Sequence, residues 1–420
     1  MRHCLLVVWV LAVAGTPAWA APDEAPAPTA VPPPPPAKPE PKAVLWGRAQ
    51  LIVGIDPQNQ GDVPDVSIVP DGALQKEWNA SLQANAALGG KFTYPEPIAG
   101  FTAAGQVTTV LYVRRIFTVT NAGFTLDNPE HGVKIGVGRF IHPTVNTLTP
   151  SVFQFSSGWG NLVHETTGAY VAKKQGRLLV QLGAGRPDGD LFVGPIVATP
   201  RANPALPFVE GRVAYIDHSI VGELPSNAVV GARPGPLTLS VSGAVGQQRV
   251  GIGEKAATVA LAPQAVDPVI EDVTSWLISG EAIIPITPLG GLVVMGEWYV
   301  GTGANAYVGA VRQRPHVDPA TGRHTALRSR GGWLQLSYAL PARWSVVAVG
   351  GLEHITEGVD RGVPVDGAPA IRVNRLLAMS LSKSLGRLHA GVQVQHQVTR
   401  YVGLEDGRMT SVLLESSVDF

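Results

Sequence analysis

The chain has one cysteine, Cys4, in 420 residues. It falls inside an N-terminal segment that reads as a secretory signal. Arg2 and His3 supply a basic start, Leu5 to Val13 an apolar run, and Ala18-Trp19-Ala20 a small-residue cleavage site before Ala21. The apolar run is about ten residues, short of the roughly 20 that a spanning helix needs. A lipid-bearing cysteine would follow such a run, whereas Cys4 precedes it. With residues 1–20 removed, the mature chain has no thiol. Disulfides, a thiol nucleophile and a Cys-ligated metal are thereby excluded in the oxidising compartment that export reaches.

Charge is scarce too. Charged residues make up 15% of the chain, and Lys plus Arg equals Asp plus Glu at 32 each, so the basic surplus of a nucleic-acid binder is missing. Beyond residue 20 no apolar stretch reaches about 18 residues, which excludes a helical membrane domain. It does not exclude strands, of which only alternate residues face lipid. Catalytic motifs are broken where they begin. His164-Glu165 opens like a zinc-protease helix, but Gly168 stands where the second His should be. Gly246 and Gly251 have phosphate-loop spacing, yet Ile252 replaces the lysine, and Gly301-Thr302-Gly303 reads as a turn. No Gly-x-Ser-x-Gly elbow occurs, and the ten His form no pair at metal spacing. The expectation is a protein with no enzymatic activity, no metal and no cofactor.

What is abundant is glycine, 48 residues, and proline, 36. Proline concentrates in residues 21–43, with the run Pro32 to Pro36, and such chain forms an extended spacer without a core. From Val44 the pattern changes to segments of alternating apolar and polar residues, separated by Gly, Pro, Asp and Asn clusters. Leu45, Ala49, Leu51 and Val53 share one face and Arg48 and Gln50 the other; Leu178, Val180 and Leu182 oppose Arg177 and Gln181. Ile278, Ala282 and Ile284 oppose Ser279 and Glu281, while Leu388, Ala390, Val392 and Val394 oppose His389, Gln393, Gln395 and Gln397. Segment starts fall near residues 44, 78, 102, 117, 132, 163, 176, 209, 237, 273, 289, 330, 343, 374, 387 and 410.

One apolar and one polar face per strand fits a soluble sandwich or a membrane barrel. Three features select an all-β transmembrane antiparallel barrel of about 16 strands over residues 44–420. The polar faces carry bulky hydrogen-bonding groups suited to a wet lumen. Aromatic residues such as Trp276, Trp298, Trp333, Trp344 and Tyr401 sit near segment ends, as in interfacial girdles. Connections alternate between short, at Pro341-Ala342 and Gly386, and long, at residues 250–272 and 313–328, as short periplasmic turns and long external loops would. Val412, Leu414, Val418 and Phe420 then form one face of a last strand ending in phenylalanine. Bacterial outer-membrane barrels commonly end so, and Val418 and Phe420 are the candidate signal to the barrel-assembly machinery.

Several stretches resemble the DcaP-like family of Gram-negative porins. They are Gly138-Arg139-Phe140 with the following Thr144 to Phe155, Arg186-Pro187-Asp188-Gly189-Asp190, and the closing Glu405-Asp406-Gly407-Arg408. The similarity is spread over most of residues 44–420. The resemblance implies a sixteen-stranded homotrimer in the outer membrane that passes small, often anionic, organic solutes. Family members often carry a coiled coil before the barrel, whereas here that stretch is proline-rich.

A wide aqueous pore selects by diameter and by the charges at its constriction. Candidates for a basic wall are Arg48, Arg114, Arg115, Arg139 and Arg177, since arginine on the lipid face at mid-bilayer costs about 2 to 4 kcal/mol. Glu281, Glu297 and Glu415 are expected to point inward opposite them, with Gln50, Gln181, Gln393, Gln395 and Gln397 as polar lining. Residues 143–160 are a candidate constriction loop, hinged at Gly158-Trp159-Gly160. The rival readings are a structural or adhesive barrel with a closed lumen, whose long loops are the active surface, and an outer-membrane hydrolase. The lining residues separate the first from a channel; a Ser or Asp close to a His near the external rim would favour the second.

Overall fold

The computed structural model describes residues 42–56, 79–112, 115–141, 165–188, 207–225, 233–250, 271–286, 291–364 (except 308, 310 and 312) and 369–420. Between 142 and 164 it describes 144, 145, 148, 150, 151, 159, 160 and 162. The expected signal (1–20) and proline-rich segment (21–43, apart from its last two residues) lie outside the described residues.

Among the described residues the alternation seen in the sequence becomes nineteen strands. The first eleven are β1 (Lys42–Asp56), β2 (Asn79–Thr93), β3 (Thr102–Tyr112), β4 (Arg115–Asn128), β5 (Val133–Ile141), β6 (Glu165–Gln175), β7 (Leu178–Asp188), β8 (Phe208–Leu224), β9 (Arg233–Val250), β10 (Glu271–Ile286) and β11 (Leu292–Thr302). Then follow β12 (His316–Val317), β13 (His324–Thr325), β14 (Arg328–Leu340), β15 (Trp344–Glu357), β16 (Val363–Pro364), β17 (Ile371–Leu385), β18 (Leu388–Tyr401) and β19 (Gly407–Asp419). All but β12, β13 and β16 form one closed antiparallel barrel in the order β1-β19-β18-β17-β15-β14-β11-β10-β9-β8-β7-β6-β5-β4-β3-β2. The sixteen expected starts fall within four residues of the observed ones, the widest gap being 237 against Arg233. The three remaining strands make a small sheet of their own, β13-β12-β16. At two residues each they are too short to leave an alternation in the sequence.

Closure is made by the chain ends. β1 pairs with β19 from Arg48↔Asp419 to Ile55↔Val412, and Gly47 and Phe420 exchange backbone hydrogen bonds of 2.9 and 3.0 Å. The barrel itself leaves no edge strand open among the described residues, which is the condition for strands to cross a bilayer. At the end of the barrel that carries both termini the connections are short, such as 129–132, 176–177, 341–343 and 386–387. At the other end most are long: 142–164, 251–270, 303–327 and 358–370. In the three-residue turn after β14, Ala342 and Arg343 take left-handed φ of 56° and 61°, a strained but compact way to reverse direction.

The two faces differ as period-two alternation requires. Leu182, Val241, Leu334, Leu377, Val394 and Leu414 stand exposed on the outer wall, and Gln335, Ser337, Gln393, Gln395, Ser411 and Ser417 are buried on the inner one. Burying about 25 cal/mol per Å² of such apolar surface in a bilayer core supplies the drive that an internal core gives a soluble domain. One aromatic departs from the girdle expectation. Trp333 falls on the inward parity, beside buried Gln335, and is itself buried.

Candidate functional site in the lumen

The inner wall is laid out by register. Arg212 on β8 donates to Gln181 on β7 at 3.2 Å and to Ser240 on β9 at 3.2 Å. It also forms an ion pair of 3.2 Å with Glu281 on β10, which accepts from Ser240 at 2.9 Å. Four strands are thereby joined by one buried polar ladder, with Arg212 and Glu281 balancing each other's charge. Arg212 was missed in the sequence, although the alternation of Val209, Gly211 and Val213 with Glu210 and Arg212 marks it as inward.

A second cluster lies at the barrel seam. Arg48 donates to Ser417 at 2.9 Å and forms ion pairs with Asp419 at 3.5 Å and Glu415 at 3.9 Å, while Gln50 donates to Glu415 at 2.7 Å. On β18, Gln393 donates to Gln395 at 2.9 Å, and Gln397 shares their buried face. Thr399, further along, donates to Asn374 at 2.9 Å.

The described residues between β5 and β6 lie inside the ring, against strands that are not their neighbours. Leu148 N–H donates to Glu281 at 2.9 Å, Ser151 N–H to Gln335 at 2.6 Å, Leu162 N–H to Glu297 at 3.0 Å and Gly160 N–H to Glu353 at 3.4 Å. The acceptors sit on β10, β14, β11 and β15, four successive barrel strands that lie four to seven strands around the ring from β6. A buried carboxylate needs donors, and an inserted loop needs acceptors for its backbone, so each satisfies the other. Tyr299 also donates to Glu353.

Apolar packing reinforces this latch. Leu148 and Trp159 cover a patch of the inner wall that includes Ile283, Val293, Met295 and Trp333. Val145 and Leu162 join Phe208, Leu277, Tyr299 and Tyr307 in a second cluster. Tyr307 belongs to a short 3-10 turn, Ala304–Tyr307, just after β11, and donates to Glu210 on β8 at 3.0 Å. Burial, with the Glu210 carboxylate beside it, holds the Tyr307 phenol well above its ordinary pKa, so it remains a donor.

Four sequence expectations need correction or limits. Arg139 lies on the outward parity of β5 with exposed Val137, which pairs with exposed Phe124; alternation turns it away from the lumen. Arg177 sits outside the strands, in the turn between β6 and β7, where its exposed side chain meets Tyr215 at 3.0 Å and Asp217 at 3.2 Å. Arg114 lies outside the described residues, and so does the side chain of Arg115, the first residue of β4. Of the expected constriction loop, the described residues Val145, Leu148, Ser151, Trp159 and Gly160 are buried inside the ring, and Trp159-Gly160 is an anchor rather than a hinge. Trp159 is fully buried against Gly351, and Gly160, at φ +94°, packs on the backbone of Gly332 and Leu352 so closely that a Cβ would overlap it. Gly158 is outside the described residues.

Among the described residues no group of three or more His, Cys, Asp or Glu could hold a metal ion. No protein-family model and no curated protein matches the sequence. Solved structures do match its fold. The outer membrane channel DcaP of Acinetobacter baumannii is 14% identical with a TM-score of 0.64, over 90% of this chain and 97% of that one. An anion-selective porin from Comamonas acidovorans is 13% identical with a TM-score of 0.56, over 91% of this chain and all of that one. Pseudomonas putida OprB, at high pH, is 11% identical with a TM-score of 0.56, over 90% of this chain and 94% of that one.

Proposed function

We propose that this chain, which shares its fold with outer-membrane porins, is an outer-membrane channel for the passive diffusion of small polar solutes. The observation that carries the reading is the closed sixteen-strand barrel with an apolar exterior, a polar interior and a loop latched across its lumen. A barrel of this strand number leaves an aqueous channel, which residues inserted into the lumen narrow. Arg48, Gln50, Arg212, Glu281, Gln393, Gln395 and Gln397 are the proposed lining. Because Arg48 is paired with Glu415 and Asp419 and Arg212 with Glu281, the lining selects by size and hydrogen bonding more than by a basic wall.

In the same reading residues 1–20 are a cleaved signal and residues 21–43 a periplasmic spacer. The short turns face the periplasm, the long connections face outside, and Val418 and Phe420 are read by the assembly machinery. The homotrimer implied by the DcaP-like resemblance belongs here as well. Conductance of the purified protein in a planar lipid bilayer tests the channel. Stepwise ohmic openings are the expected result, and a folded, heat-modifiable barrel that never conducts would sink it.

A second reading, a structural barrel with a closed lumen, draws on the two apolar clusters packed inside the ring. The same recording separates the two.

A further inference from the structure

The outer wall is not uniformly apolar. Register aligns its side chains in rows across β14, β15, β17, β18 and β19. One row is Arg330↔His354↔Val373↔Arg400, the next toward the short-turn end Gly332↔Leu352↔Arg375↔Val398↔Arg408, and the third Leu334↔Gly350↔Leu377↔His396↔Thr410. All lie on the parity of exposed Leu334, Leu352 and Leu377, and the first row is the nearest to the long-connection end. With strands ~4.8 Å apart, Arg330 is beside His354, and Arg375 is ~10 Å from Arg408. His354 lies within the electrostatic reach of Arg330, Arg372 and Arg375.

Acids answer only part of this charge. Arg328 is paired with Glu357 at 2.9 Å, Arg372 with Asp360, and Arg400 with Asp406 at 3.4 Å. Arg330 and Arg375 have no ion pair among the described residues, though both are exposed.

Beside the basic row the outer wall carries an open groove. A groove of about 640 Å³ is lined on the outside by Gly332, Leu334, Gly350, Leu352, Arg375 and Leu377. Gly350 is informative, because a Cβ there would meet nothing within 4 Å. Barrel packing does not require its missing side chain, and a strand glycine otherwise costs stability or marks the close approach of a ligand.

We propose that this face binds a phosphorylated glycolipid of the outer leaflet, with one acyl chain in the groove and its phosphate on Arg330 and Arg375. The proposal rests on the outer-membrane reading, which puts the long-connection end in that leaflet. Arginine is tolerated on a barrel exterior only near the interface, and guanidinium groups recognise phosphate in a bidentate fashion. Arg330 above an otherwise apolar trench and Arg375 on its wall match a lipid with anionic head and hydrocarbon tail, and match a zwitterionic lipid poorly.

The test uses the full-length mature protein in detergent, with bis-phosphorylated lipid A or dioleoylphosphatidylcholine added, and native mass spectrometry as the readout. Heat-dependent electrophoretic migration certifies the folded barrel for each variant. Wild type should retain lipid A and shed phosphatidylcholine. R330Q/R375Q should lose retention about tenfold, and Gly350→Leu, which fills the trench and leaves the charges, should also weaken it. Equal retention in wild type and R330Q/R375Q overturns the proposal, as does equal retention of the two lipids. Efficient disulfide dimerisation of Leu352→Cys would assign the face to a second copy and overturn it too. Lipid A binding without conductance would overturn the channel reading and leave this one standing.

Discussion

Gln335 and Ser151 hold each other in both directions: Ser151 N–H donates to Gln335 Oε1 at 2.6 Å, and Gln335 Nε2 donates to Ser151 Oγ at 3.2 Å. One residue belongs to a barrel strand and the other to the loop that crosses the lumen. Both are buried, so the pair works without competition from bulk water.

Replacing Gln335 by Ala leaves the Ser151 N–H without its acceptor, a loss of about 1–3 kcal/mol. Urea midpoints of the refolded protein should fall accordingly. Single-channel recordings should show larger and noisier openings, because the loop is released where it narrows the pore.

Arg212 and Glu281 form a buried pair, with side chains 7% and 0% exposed. Removing one partner should cost about 3–5 kcal/mol, since it strands a buried charge. Arg212→Met together with Glu281→Gln keeps an acceptor for Leu148 N–H and should recover most of that loss. A double-mutant cycle in urea measures the coupling; additive single effects would show that the two charges are independently solvated.

Trp159 and Gly160 anchor the returning end of the loop. Trp159→Ala opens a cavity against Gly351 and should cost about 3–5 kcal/mol. Gly160→Ala should displace the loop instead, because its φ of +94° and the backbone of Gly332 leave no room for a methyl. Both variants should pass larger neutral polymers than wild type in a solute-exclusion series. An unchanged cutoff would move the constriction elsewhere.

Ion selectivity separates the arginines that sequence grouped together. Arg48→Ala removes the cation that balances Glu415 and Asp419, so the reversal potential in a salt gradient should shift toward cations. Arg139→Ala should leave it unchanged, because Arg139 is on the outer wall. A shift of equal size in both would contradict the inward and outward assignment.

The contrast between Arg48 and Arg139 shows what could be read in advance. Arg48 and Gln50 alternate with Leu45, Ala49 and Leu51, and a strand has only two faces. Arg139 follows the same rule through Val137, but Gly136, Gly138 and the apolar Phe140 on the opposite face left its local pattern without contrast. Arg177 looked inward by parity and was lost to a two-residue turn, where parity ends. Trp333 resembled a girdle residue by composition, and only its register beside Glu297 places it in the lumen.

The approximate strand number, the strand starts and the inward parity of Gln181, Glu281, Glu297 and the three glutamines of β18 were thus legible in the sequence itself, because period-two alternation is local and survives without knowledge of neighbours. Which wall residues would latch the loop was decided only by the closed barrel. Ser151 and Gln335 are 184 positions apart, and no periodicity connects them. Their meeting depends on how far the ring curves before β14 comes to face β5 and β6, a property of all sixteen strands together.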